Sequence, residues 1–213
     1  MLLFSLWPSG GFDSYAAGLA ALRAEPAVRD EVRSVVDLAF DAARHLTTST
    51  AGSLQGLNLR IHARYQREEI LAALGHASLA RVPATFREGV LHSTEWNCDA
   101  FLITLKKSDT DFSPTTMYRD YAISPDLFHW ESQSTTSVDS PTGQRYLNHR
   151  DRGSSILLFV RDGKTNEMGT EPYMFLGPAE YVSHTGDRPI AITWKLLQPM
   201  PFDVLAAARV AAG

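Results

Sequence analysis

Trp130, Phe128 and Tyr121, with the amide of Gln133 close behind, are residue types that can hold a nucleobase. Flat apolar rings stack on the faces of an extruded base while an amide reads its edge. They lie between Ser113 and Tyr146, a stretch with eleven Ser or Thr, five large aromatics (Tyr118, Tyr121, Phe128, Trp130 and Tyr146) and four Pro or Gly. The hydroxyls of Ser134, Thr135 and Thr136 and the amide of Gln144 add adaptable hydrogen bonds. Arg145, Arg150 and Arg152 follow, with His149 beside them, and could grip backbone phosphates. From Gln144 to Lys164 five cations stand against two acids. The same residues also have a structural reading. Phe128 and Trp130 are two apart, hence on one side of a strand, so both could be core, and a loose basic cluster can be a solvated face.

Other chemistries find less support. No GxxxxGK[ST] phosphate loop and no GxSxG elbow occurs, and seven His scattered around one Cys do not have zinc-site spacing. Cys98 with His92 or His129 as base is conceivable, but a lone Cys beside an apolar strand more commonly packs. Glu88, Asp99, Asp109, Asp111 and Asp120, with Lys106 or Lys107, could hold a catalytic metal as in a nuclease, although Asp109 and Asp111 sit in a segment that favours turns. No catalytic residue, metal or cofactor is assigned, and the chain is expected to be a non-enzymatic module.

Positioning such residues takes a framework. The chain has 213 residues, 44% hydrophobic and 21% charged, enough for one core, and its net charge of -4 leaves any nucleic-acid contact to a local basic patch. A single thiol fits a reducing compartment, so a cytoplasmic location is expected, and no run approaches the length of a membrane span. The apolar start implies that Leu2, Leu3, Phe4, Leu6 and Trp7 pack against something, a surface that need not lie in this chain. Ser14 to Leu46 reads as helical, with Val28, Val32, Val35, Val36, Ala39 and Phe40 at helical intervals. The string from Leu46 to Gly56 reads as a linker, and Gln66 to Leu74 as a short helix stopped by Gly75.

Beyond Gly75 the pattern becomes β: Gly89–His92, Phe101–Leu105, Ile156–Arg161, Tyr173–Leu176, Ala179–His184 and Ile190–Leu197. ILLFV predicts a central strand covered on both faces, AITWKL a half-exposed one, and RDGK, FLGP and HTGDRP read as turns. The expected fold is α+β. Residues 1–60 form a helical connector, and 61–205 a small mixed or antiparallel open β-barrel, PUA-like or B3-like, with one or two peripheral helices.

YQREEILAALG, FLITLKKSDTDFSPTTMYRDYAISPDLFHWESQSTTSVDSPTGQRYLNHR, ILLFVRDGK and PYMFLGPAEYVSHTGDRPIAITWKLLQPMP are also similar to known sequences. Over about residues 61 to 202 they resemble an uncharacterised domain at the C-terminus of bacterial superfamily II helicases of the DEAD/DEAH type. Those proteins often carry a phospholipase-D-type nuclease domain as well. At Glu131 the chain departs from the family's more frequent Gln. The resemblance implies a restriction or phage-defence context, in which the helicase core and nuclease domain, in cis or in trans, are partners. Target recognition on duplex DNA is the task left for this domain, with no membrane involved. The reading is a DNA-recognition module for a sequence, a modified base or a flipped base. The alternatives are a regulatory module docked on the helicase core and, third, a metal-dependent nuclease.

Overall fold

A computed structural model describes residues 2–7, 10–41, 45–78, 86, 89–106, 120–166 and 169–210. Its centre is an eight-stranded sheet. In spatial order this runs β4 (Val90–Ser93), β5 (Cys98–Thr104), β8 (Ser155–Arg161), β11 (Tyr173–Thr185), β12 (Ala191–Leu196), β7 (Leu127–Glu131) and β6 (Tyr121–Ala122). β3 (Arg64–Tyr65) adds to β11 at its start. β5 and β8 run parallel and every other ladder is antiparallel. Two-stranded pairs form between β1 (Thr48–Ser49) and β2 (Arg60–Ile61) and between β9 (Thr165–Asn166) and β10 (Gly169–Thr170). Among the described residues six α-helices complete the fold: α1 (Leu2–Leu6), α2 (Tyr15–Ala24), α3 (Pro26–Asp41), α4 (Arg67–Ala73), α5 (Pro141–Leu147) and α6 (Phe202–Val210).

The sheet curls tightly around its own side chains. Four strand steps separate β5 from β7, about 19 Å in a flat sheet at ~4.8 Å per step. Yet Phe101 of β5 stacks on Trp130 of β7 with ring centroids 4.1 Å apart. The concave face holds Phe101, Phe128, Trp130, Ile156, Leu158, Ile192 and Trp194, with Tyr146 of α5 closing one end and Val204, Leu205 and Ala208 of α6 the other. The curl stops short of closure: among the described residues no ladder joins β4 to β6, so the expected barrel is an open sheet. β8 is buried on both faces, as a parallel-paired central strand should be, and β7 and β12 alternate.

The convex face carries a second core. Ala100, Leu102, Leu157, Phe159 and Phe175 pack beneath Ile70 and Leu71 of α4, Leu3 and Phe4 of α1, and Leu54, Leu57 and Leu59. Leu3 and Phe4 of the apolar start are thus covered by the chain itself, whereas Leu2 is exposed, and the Ser5 hydroxyl donates to Glu69 on α4. The stretch read as a linker is tied down: the Arg60 guanidinium donates to Thr47 Oγ1, Ser49 Oγ and the Thr47 carbonyl at 2.8, 3.0 and 2.9 Å.

FLGP does not reverse the chain. β11 runs through it as one strand, with its register against β8 shifting between Phe175 and Gly177, and Gly177 at φ +100° lets Ile61 pack on the backbone. A bulge takes up the extra residue where a turn was expected.

α5 forms inside the Ser- and Thr-rich stretch, for which the sequence pattern predicts no helix. Ser140 caps it, its Oγ accepting from the Gly143 N–H at 3.0 Å, and Pro141 occupies the first turn, where its missing donor costs nothing. Gly143 is needed for approach: a Cβ there would collide with the Ser137 carbonyl and lie 3.1 Å from Ile190 Cδ1. Gly143→Ala is expected to lower stability by about 1–3 kcal/mol, measured by urea unfolding, because the obstructing atom is backbone.

Candidate functional site

The residues singled out in the sequence divide into three groups. Phe128 and Trp130 are core: their side of β7 faces the concave interior, where they are 0% and 5% exposed. Trp130 stacks on Phe101 and meets Tyr146 edge-on at 5.6 Å. An open cleft lined by this indole is therefore absent, and the period-two alternative holds. Thr136 is buried as well. His149 is 3% exposed, its Nδ1–H donating to the Ser154 carbonyl at 3.2 Å while Nε2 accepts the Tyr181 N–H at 3.1 Å. That imidazole ties the loop before β8 to β11, so it does not present itself to a ligand.

The second group gathers at one end of the curled sheet, around α5. Arg145 lies on α5, and Arg150 and Arg152 in the loop leading to β8, whose Ser155 N–H donates to the Asn97 carbonyl at the start of β5. Arg150 Nη2 donates to Glu180 Oε2 at 2.8 Å and to the Tyr181 carbonyl at 3.1 Å, and Arg152 is exposed. The loop before α5 presents Gln133, half-buried and accepting from Thr136, with Ser134 and Thr135 exposed. Gln144 is spent locally, donating to the Val138 carbonyl at 2.9 Å and accepting from Asn148.

Third are residues the structure sets apart. Tyr121 stacks on His129 at 4.6 Å on the outer face of β6 and β7. Arg161 ends β8, six residues or about 20 Å from Ser155, and Lys164 lies beyond it. There Arg161 lies over the Tyr173 ring at 4.3 Å and donates to Thr104 Oγ1. The basic stretch of the sequence is therefore not one patch. Tyr118, Glu88, Asp109, Asp111 and Lys107 lie outside the described residues.

The centre of the α5 end is Asp99. It is 0% exposed at the start of β5, with Arg145 Nε donating to Oδ2 at 2.7 Å and to Oδ1 at 3.0 Å. His92, opposite it in the β4–β5 ladder, brings Nδ1 to 3.3 Å from Oδ1. The hydrogen bond to Asp99 holds the Arg145 guanidinium above its ordinary range. His92 was overlooked in this role, although the register of the hairpin could have found it, since VLHS folding back on CDAF puts His92 across from Asp99.

Of the other candidate carboxylates, Asp120 accepts the Glu131 backbone N–H at 3.1 Å and Lys106 pairs with Asp162 at 2.7 Å. Among the described residues no three His, Cys, Asp or Glu side chains converge on a cation site. Cys98 points to the convex core, and burial pushes its thiol up to about 12, far from a thiolate nucleophile.

His149 has a pH consequence. Burial, its largest influence, lowers its pKa from 6.5, and the Tyr181 N–H requires an unprotonated Nε2. The unfolded chain therefore binds more protons than the folded one as pH falls below 6.5. The stabilisation is complete above that value and is lost as pH drops through the lowered folded value. His62, also lowered by burial, acts with the same sign. Urea midpoints should fall between about pH 7.5 and about pH 5, and His149→Gln should flatten that dependence.

The molecule is thus an α+β domain whose open, curled sheet is plugged by a helix at each end, with a buried carboxylate and anchored arginines under one of them. The chain belongs to the family described as a domain of unknown function (DUF3427), which matches residues 59–207, from the last residues before β2 to α6. No curated protein matches it. Among the described residues no helix is long and apolar enough to cross a membrane.

Proposed function

We propose that this chain is a non-catalytic DNA-recognition module, and that the α5 end is its binding surface. The observation carrying this reading is the anchoring of Arg145 by the fully buried Asp99. A guanidinium held through Nε is pre-organised, and Asp99 takes up neither of the Nη groups that could meet a phosphate or a base edge. Arg150 and Arg152 beside it, with the exposed Ser134 and Thr135, supply phosphate and hydroxyl contacts. Asp99, Glu180 and Asp151 offset much of the positive charge, so the affinity rests on placed contacts more than on overall field. The curled sheet with helices at both ends supports a PUA-like or B3-like reader architecture, and the helicase-nuclease context implied by the sequence resemblance supplies the duplex.

Fluorescence anisotropy with labelled duplexes, unmodified and modified, at two salt concentrations tests this. Binding that weakens with salt is expected, and Arg152→Ala should reduce the salt slope by about 1. Absence of binding to every duplex at low salt ends the reading.

A second reading, docking on the helicase core, rests on α3. This 16-residue helix buries no residue, and Val28, Val35, Val36, Leu38 and Phe40 are exposed, Phe40 at 81%. A lone helix of this length and valine content is marginal in water, so its stripe calls for a cover. It also lies outside the residues matched to the family. Co-elution of the chain with a helicase core, abolished by Val35→Asp with Phe40→Asp, would support docking, and separate elution would remove it.

A further inference from the structure

We propose that His92 and Arg145 together form a phosphate-binding site above Asp99, one that fills when His92 is protonated and empties when it is neutral. The site rests on the nucleic-acid reading only for the source of its ligand. Its argument begins with the register: β4 and β5 pair so that His92 faces Asp99, and α5 brings Arg145 to the same carboxylate. Both groups meet at Oδ1, at 3.3 and 3.0 Å, so the imidazole and the guanidinium are anchored on a single oxygen. Asp99 engages Nδ1 of the imidazole and Nε of the guanidinium, and neither His92 Nε2 nor the Arg145 Nη groups are taken up by it. The side chains of Arg145 and His92 are 24% and 37% exposed, above a carboxylate that is fully buried.

Charge and tautomer then set the condition. With Nδ1–H donated to Asp99, a neutral His92 presents a lone pair at Nε2, which repels a phosphoryl oxygen, and the group of three has no net charge. Protonation turns Nε2 into a donor and leaves the group at net +1, with two cationic side chains held on one carboxylate. The neighbours do not supply a competing titration. Tyr146 on α5 adds only weakly to the hold on Arg145, His149 is kept neutral by burial and its backbone partners, and Arg150 is paired with Glu180. Glu95, on the turn after β4, lies against Gly75 at the end of α4.

The test uses the full chain and inorganic phosphate. Imidazole nitrogen spectra and phosphate titrations at about pH 8 and about pH 5.5 should show the His92 resonance shifting with phosphate only at the lower pH. Affinity should be about tenfold higher at the lower pH than at the higher one. His92→Gln should abolish that gain while unfolding at the wild-type urea midpoint, and Arg145→Lys should weaken binding at both pH values. Phosphate affinity that is equal at the two pH values, or a wild-type His92 resonance that ignores phosphate, overturns the site without reliance on any variant. A labelled duplex in parallel separates the two claims. Phosphate binding with this pH dependence but no duplex binding keeps the site and removes the DNA reading, whereas duplex binding unaffected by His92→Gln keeps the DNA reading and removes the site.

Discussion

Trp130→Ala should lower the stability of the fold by about 3–5 kcal/mol, seen as a drop of roughly 10 °C in melting temperature for a chain of this size. The indole lies flat on Phe101, four strand steps away, and edge-on to Tyr146 of α5, and its cross-strand partner on β12 is Ile192. It thereby joins the two halves of the curl and seats the helix that closes one end. Truncation removes the stack and leaves a cavity whose walls are strands fixed by their ladders, so little collapse can offset the loss. Thermal and urea unfolding check this. A variant that melts with the wild type yet loses affinity for a nucleic acid would return Trp130 to a binding role and contradict its place in the core.

Arg145→Met is the second large effect, expected at about 3–5 kcal/mol. It strands the Asp99 carboxylate, 0% exposed, with only the longer His92 contact to offset the loss of hydration. Removing both partners, as Asp99→Leu with Arg145→Met, should recover most of that loss, since a buried pair replaced by apolar groups is commonly close to neutral. The coupling from the double-mutant cycle in urea is the diagnostic quantity. Additive losses would mean that the pair does not hold α5 to the sheet. The pair is thus a structural element as well as a pre-organised arginine, and Arg145→Lys, which keeps the charge, is the variant suited to binding studies.

Local pattern made much of the framework legible. The apolar run of β8 and the alternation of β12 reflect how many faces each strand buries, and both strands lie where those patterns put them. α3 and α4 follow their 3.6-residue periodicity, and Gly75 stands just past the end of α4. Short elements went unread because their signals are ambiguous at that length. Ser140-Pro141 caps and starts α5, yet the same residues punctuate loops, and Gly177 marks a bulge although FLGP has the composition of a turn.

The site was legible only in part. The arginines and hydroxyls that surround α5 were recognisable by type, and their gathering at one end is a product of the fold.

Residue type and spacing alone determined that this chain carries a β-rich half with a helical N-terminal part, and that Phe128 and Trp130 share a strand face. Which way that face points is not a local property. It depends on the sheet curling until β5 meets β7, a long-range packing event that buries the rings and leaves the guanidinium groups outside. The tertiary structure likewise chose the partner of Asp99. A carboxylate removed from water requires donors, and only strand register and the docking of α5 bring His92 and Arg145, 53 residues apart in the chain, to the same oxygen.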